Sequence, residues 1–254
     1  MRLACHDLED GNMALIQVNY MSKALSRTVP VNVLLPVDKF DSGEKEYVMD
    51  GNHRYKTLYL LHGFYGNYTD WVSRTRIQEW AEEKELAVVM PSGDNAFYVN
   101  SMIPRNDYET FIGEELPEIT RKMFPLSDKR EDTYIMGFSM GGFGALRNGM
   151  VFSDRFSHVI GLSAALSVFN NLGGTLKTMF DLKITAREMF EGEREVPNFY
   201  MACGTQDDLF EINTDFRDFL RENGADVEWD EEDEGHNWSF CDSQIKKVLD
   251  WLPL

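Results

Sequence analysis

The stretch Thr133-Tyr134-Ile135-Met136-Gly137-Phe138-Ser139-Met140-Gly141-Gly142 decides the fold. Thr133 to Met136 is a short apolar, strand-forming run, and beyond it Phe143, Leu146 and Met150 share one side of a helix. Between them lies a Gly-x-Ser-x-Gly turn. A strand that passes so sharply into a helix holds the serine in a strained backbone region, and side chains at the flanking positions would collide with neighbouring strands. Gly142 adds close packing of the new helix. The helix N-terminus directs backbone N–H groups toward the serine, which favours a developing negative charge there. The pattern predicts a nucleophilic Ser139 at the end of a strand in an α/β sheet.

On either side of this turn, short apolar runs alternate with amphipathic helical patterns, the rhythm of strands and crossover helices. Ala14 to Met21 and Val29 to Leu35, joined by a polar turn, read as antiparallel edge strands. Thr57 to Leu61, Leu86 to Met90, Val159 to Leu162 and Asn198 to Cys203 read as further strands. Helices are expected around Ile77, Trp80 and Ala81, and over Ile112 to Met123, where Pro117 must sit in the first turn or kink the helix. Two more run over Ile212 to Leu220, ended by Asn223-Gly224, and over Ile245 to Leu252, stopped by Pro253. The acidic run Asp226 to Glu234 reads as a solvated face or a charged strand edge.

The chain has 254 residues, enough for one domain spanning 1–254, with 1–12 as an N-terminal extension and Met13 as an alternative start. Residues 164–196 break the rhythm and are expected to insert over one end of the sheet as a partial lid. With 25 Lys and Arg against 43 Asp and Glu the formal net charge is −18, which disfavours nucleic acid and anionic membrane surfaces as partners. No apolar stretch is long enough to span a bilayer, and Asp7, Glu9 and Asp10 stand where a signal peptide would be apolar. Three unpatterned cysteines, Cys5, Cys203 and Cys241, suggest free thiols. A soluble, cytoplasmic protein is expected, with homo-oligomerisation left open. No metal-ligand spacing is present, so neither metal nor cofactor is expected.

A nucleophilic serine needs a base, an acid and a place for the oxyanion. In Leu61-His62-Gly63-Phe64, at the end of an earlier strand, the Phe64 amide is expected to join the Met140 amide in an oxyanion hole, and His62 to brace the loop by hydrogen bonding. His236, in Gly235-His236-Asn237-Trp238 before the last helix, is the expected base. His6, His53 and His158 read as structural or solvated. The acid falls in Cys203-Gly204-Thr205-Gln206-Asp207-Asp208, where Asp207 and Asp208 are both eligible and Asp208 would otherwise cap the following helix.

With these pieces the chain resembles the tributyrin-esterase and acetylesterase branch of the esterase D-like α/β-hydrolases, and is similar to carbohydrate esterases that remove acetyl or feruloyl groups. The likeness runs from about Ala14 to Leu252 through Leu61-His62-Gly63, Asp70-Trp71, Asp94-Asn95-Ala96-Phe97-Tyr98, Glu115-Leu116-Pro117, the serine turn, Gly204-Thr205-Gln206-Asp207 and His236-Asn237-Trp238. The resemblance implies an α/β-hydrolase fold, a triad of Ser139, Asp207 and His236, an oxyanion hole at Phe64 and Met140, and short-chain ester hydrolysis through an acyl-enzyme. Tyr65, Trp71, Tyr98 and Trp238 are the candidates for the substrate pocket, and a small ester or an acylated sugar for the substrate. The competing readings are S-formylglutathione hydrolysis, acyl transfer, and a catalytically silent carbohydrate-binding protein on the same fold.

Overall fold

Side chains on a strand alternate between its two faces, so a sheet covered on both sides needs apolar residues at nearly every position. Strands β3 (Thr57–Leu61), β4 (Ala87–Pro91) and β5 (Thr133–Phe138) are buried throughout, as that requires. In the computed structural model, which describes residues 12–37, 53–166, 181–192 and 194–254, they form the centre of an eight-stranded sheet ordered β1-β2-β4-β3-β5-β6-β7-β8. β1 (Asn12–Ser22) pairs antiparallel with β2 (Arg27–Val37), and β2 antiparallel with β4. Every other pairing, through β6 (His158–Leu162), β7 (Asn198–Gly204) and β8 (Val227–Glu232), is parallel. The expected mixed sheet with an antiparallel N-terminal edge is what forms. Of the expected extension 1–12, all but Asn12 lies outside the described residues, and Asn12 opens β1.

One apolar core lies on each face. Leu58, Leu60, Tyr134 and Met136 point to the side covered by α1 (Asp70–Arg74), α2 (Ile77–Glu83) and α8 (Trp238–Trp251), which contribute Trp71, Trp80, Phe240 and Val248. Tyr59, Leu61 and Ile135 point to the other, which holds Leu116, Phe143, Leu146, Met189 and Phe216. Those come from α4 (Leu116–Met123), α5 (Met140–Val151), α6 (Leu182–Glu191) and α7 (Phe210–Glu222). Pro117 is accommodated in the first turn of α4, directly after α3 (Tyr108–Thr110) and a π-turn at Phe111–Glu115. A helix that widens to i+5 bonding ahead of a proline tolerates the missing N–H without a break.

Part of the expected insertion, 167–180, lies outside the described residues. Its later portion is α6, whose Leu182, Ala186 and Met189 are buried in the same core as α5 and α7. The acidic run forms β8, the sheet edge, where Asp230 and Glu232 bind Lys247 of α8. Asn223 ends α7 and Gly224 follows at φ +90°, the terminator expected there.

Every parallel strand delivers its C-terminal end to the same rim, where ligands bind in open α/β sheets. At that rim a Cβ on Gly141 would stand 2.3 Å from the Leu61 carbonyl oxygen and 2.7 Å from that of His62. Backbone cannot rotate away. Gly141→Ala is therefore expected to cost about 3 kcal/mol, lowering Tm by roughly 6–12 °C. Gly235→Ala, whose Cβ would meet nothing nearer than 4.0 Å, should leave Tm in place in the same melting experiment.

Candidate active site

Ser139 is the hinge between β5 and α5, and its backbone lies at φ 58°, ψ −116°. Its amide donates to the Leu162 carbonyl, and its carbonyl accepts from Phe143 and Ala165, so the strained residue is tied to β6 and to its own helix. The same turn leaves the Met140 amide, at the first position of α5, without an intrahelical partner. Gly63 lies against this turn: a Cβ on it would come within 3.5 Å of the Ser139 Cβ. That places the Gly63-Phe64 loop beside the serine.

The loops after β7 and β8 are laced to each other by Thr205 N–H to the Glu232 carbonyl and Gln206 N–H to the Glu234 carbonyl. Gly204 lets them approach, because a Cβ there would sit 2.1 Å from the Glu234 carbonyl oxygen. Asn237 caps α8, accepting from the Phe240 amide and donating to Glu234, and so fixes the residue just before it. That residue is His236. Its Nδ1 lies 2.7 Å from Asp207 Oδ2, and its Nε2 lies 2.9 Å from Ser139 Oγ. The structure thus brings together the three residues expected as nucleophile, base and acid.

A carboxylate only accepts, so Nδ1–H donates to Asp207 and Nε2 is left to accept from the serine hydroxyl. The Asp207 side chain is 1% exposed and that of His236 37%. Burial pushes the Asp207 carboxyl up, but the His236 bond and the Leu209 amide pull harder and hold it below the usual carboxylate range. Phe138, in the serine turn, stacks on the imidazole with centroids 4.6 Å apart, a contact between residues remote in sequence that the turn motif does not signal.

Asp208 departs from expectation. It is exposed and does not cap α7, whose N-cap is Leu209 with no side-chain bond. The bond to the Leu209 amide comes from Asp207 Oδ1, at 2.9 Å. One buried carboxylate serves both the imidazole and the start of the helix, and so leaves Asp208 nothing to hold.

The pocket candidates divide. Phe64, 41% exposed, and Tyr65, 87% exposed, stand on the rim with their rings 4.5 Å apart. Trp238 is half-buried, touching Phe138 and lying under Arg74. Trp71 and Tyr98 are a correction: at 1% and 0% exposure they offer no surface to a ligand. Trp71 packs edge-on against Trp238 from below, and the Tyr98 hydroxyl donates to the His62 carbonyl.

His62 itself is buried and doubly bonded. Its Nδ1–H donates to the Gly63 carbonyl at 2.8 Å, and its Nε2 accepts the Gly93 amide at 2.8 Å. Gly63 C=O and Phe64 N–H belong to one trans peptide unit, so gripping the carbonyl points the amide the opposite way. Asn95, in the loop after β4, accepts from the Tyr65 amide through its Oδ1, a role the Asp94-Asn95-Ala96-Phe97-Tyr98 stretch does not by itself signal. Asn213 in α7 accepts from the Ala164 N–H and donates to the Ala164 carbonyl, a long-range contact with no local sequence signal.

Residues 22–239 match the family "Putative esterase". The chain belongs to this esterase family. An acetyl esterase of Caldicellulosiruptor saccharolyticus is 36% identical over 94% of this chain and 98% of that protein. The S-formylglutathione hydrolase of Staphylococcus aureus superposes with TM-score 0.81 at 28% identity, over 95% of this chain and 99% of that one. A ferulic acid esterase shares the fold with TM-score 0.78 at 21% identity, over 96% and 98%. The esterase fold is that of the α/β-hydrolases, and the enzyme is a carboxylic-ester hydrolase.

Two measurements follow from this geometry. Asp207→Asn should lower the esterase rate by about 10³ to 10⁴ by disturbing the imidazole tautomer, while Asp208→Asn and Asp208→Ala leave rate and Tm alike unaltered. Burial lowers the pKa of His62, and a proton on its Nε2 would face the Gly93 N–H. The unfolded chain takes up that proton below about 6.5 while the folded one resists, so the stability His62 contributes falls as pH falls through that value. His158, held down to about 4 by burial, acts with the same sign between about 6.5 and 4. In melting curves from pH 7.5 to 5, His62→Asn should start lower than the parent and lose less on acidification.

Proposed function

We propose that this enzyme is a serine carboxylesterase, a single α/β-hydrolase domain that cleaves short-chain acyl esters, acetyl to butyryl, through an acyl-enzyme. The observation that carries the reading is the continuous hydrogen-bonded chain from buried Asp207 through His236 to Ser139. Ser139 Oγ attacks the ester carbonyl as its proton passes to His236 Nε2, and the imidazolium is stabilised by the ionised Asp207. The amides of Met140 and Phe64 receive the oxyanion, with the dipole of α5 aligned behind Met140. Collapse of the tetrahedral adduct expels the alcohol with the proton from His236, and water then repeats the sequence to release the acid.

The alcohol must leave on the imidazole side, because that is where its proton comes from. Beside the first turn of α8 lies an open groove of about 630 Å³ walled by Arg74, Arg76, Trp238, Ser239 and Asp242 among others, with none of Ser139, Asp207 and His236 in its lining. The likeness to a ferulic acid esterase makes acetylated or feruloylated carbohydrates the esters to test first. Among the described residues no helix is long and apolar enough to cross a membrane. The buried free thiols of Cys203 and Cys241, the former pushed up to about 12 by burial, accord with a cytoplasmic setting.

S-formylglutathione hydrolysis and acyl transfer would use the same residues, and the substrate screen separates them. A fluorophosphonate should label Ser139, found by peptide mass, and Ser139→Ala should lose at least about 10³ in kcat with the fold retained. Across p-nitrophenyl esters kcat/KM should peak between acetate and butyrate, and acetylated sugars should exceed S-formylglutathione. Turnover that survives in Ser139→Ala within about tenfold would overturn the mechanism.

A further inference from the structure

We infer that Asn95 is a positioning residue, which aims the Phe64 amide at the reacting centre through its hydrogen bond to the neighbouring Tyr65 amide. The inference rests on the oxyanion role proposed for Phe64. Non-glycine residues in the left-handed region gather in the loops at the sheet's C-terminal rim: Tyr65 at φ 65° after β3, Asp94, Phe97 and Tyr98 at 46°, 52° and 57° after β4, and Ser139 at 58° after β5. Such strain persists only where the surroundings over-determine it.

Packing does little to hold Tyr65, which is 87% exposed and sets its ring against that of Phe64 on the rim. What holds it is backbone chemistry. The Gly66 amide closes the turn onto the Gly63 carbonyl at 3.1 Å, and Asn95 Oδ1 accepts the Tyr65 N–H at 2.8 Å. His62 grips the Gly63 carbonyl and so sets the peptide plane that carries the Phe64 N–H. Asn95 sets the next plane. With both planes fixed, the two torsions of Phe64 between them have no freedom left, and its amide cannot swing.

Asn95 can serve as an anchor because its own loop is anchored. Gly93 donates to His62, the Tyr98 hydroxyl donates to the His62 carbonyl, and Asp94 accepts from Tyr108 at 2.6 Å and from Arg27 of β2. The loop after β4 is thereby a rigid bracket from which one exposed side chain reaches across to the loop after β3.

Asn95→Leu keeps the size and removes the acceptor, and Asn95→Asp keeps the acceptor. With p-nitrophenyl acetate, Asn95→Leu should lower kcat and kcat/KM together by about threefold to tenfold, the mark of an interaction realised in the transition state. The Ki of butylboronic acid, which forms a tetrahedral adduct on the serine, should rise by the same factor. Tm and the fraction of sites titrated by a fluorophosphonate should stay at the parent values, which a merely structural role would not leave alone. Asn95→Asp should recover most of the lost kcat. Rates and boronate affinity within about 1.5-fold of the parent in Asn95→Leu, or an Asn95→Asp variant as impaired as Asn95→Leu, would overturn the positioning role while leaving the esterase reading intact. A parent enzyme that hydrolyses no ester and binds no boronate would remove both.

Discussion

The contact between α5 and the end of β3 is the constraint on which the rest depends. A serine can stand at φ 58° between a strand and a helix only if the helix starts almost on top of the sheet, and here Gly141 meets the Leu61 and His62 carbonyls with no room for a methyl group. Gly137 meets the same demand from the other side, since a Cβ there would lie 2.1 Å from the Gly141 carbonyl oxygen. This crowding fixes the Gly63-Phe64 loop against the serine turn. The proposed nucleophile and both proposed oxyanion donors therefore sit where backbone, not side-chain rotamers, sets the geometry. Such a site is rigid before any substrate arrives, the condition under which oriented dipoles act on a developing charge without reorganisation.

The proton-transfer side is built by different means. Asp207 and His236 come from separate loops, and their alignment relies on the backbone lacing between those loops and on the Asn237 cap. In a chain of net charge −18 an added buried carboxylate should be costly, yet Asp207 is held ionised by the imidazole, the Leu209 amide and Ser163. Those partners are in direct contact with the carboxylate, whose side chain is only 1% exposed, so salt screens the contacts little. Among the described residues every acidic group except Asp207 is at least partly exposed, as along the β8 edge. Long-range repulsion and short-range stabilisation thus act on different groups, and the charge total says little about the site.

How legible this was in the sequence follows the range of the interaction. The serine turn, the strands beside it and the glycine stop after α7 are each encoded within a few consecutive residues, and the structure places them as read; His62 braces its own loop through the adjacent Gly63 carbonyl, while its second bond goes to Gly93, remote in sequence. Asp208 reads as the cap because helix N-cap preference is a nearest-neighbour rule. That rule does not know that Asp207, one residue earlier, is turned inward with an oxygen to spare for Leu209. Trp71 and Tyr98 read as pocket residues because aromatic residues near a site often line it. Their burial depends on Trp238 and His62, which are remote in sequence, and no local pattern distinguishes an aromatic that faces a ligand from one that props up the residue that does.

The same distinction explains why the fold is easier to read than the selectivity. Catalytic position here is a backbone property, set by turns whose glycines and polar caps leave a mark in the sequence. On the proposed reading, substrate choice belongs to rim side chains, exposed Phe64 and Tyr65 on the loop after β3 and half-buried Trp238 at the start of α8, whose separation is set by the whole sheet. Each of those residues is an ordinary aromatic to its neighbours in the chain and acquires meaning only from what faces it across the rim. A chain can therefore change its ester by exchanging rim residues without touching the turn that holds Ser139. Relatives that keep the turn and differ in substrate are the expected outcome of that separation.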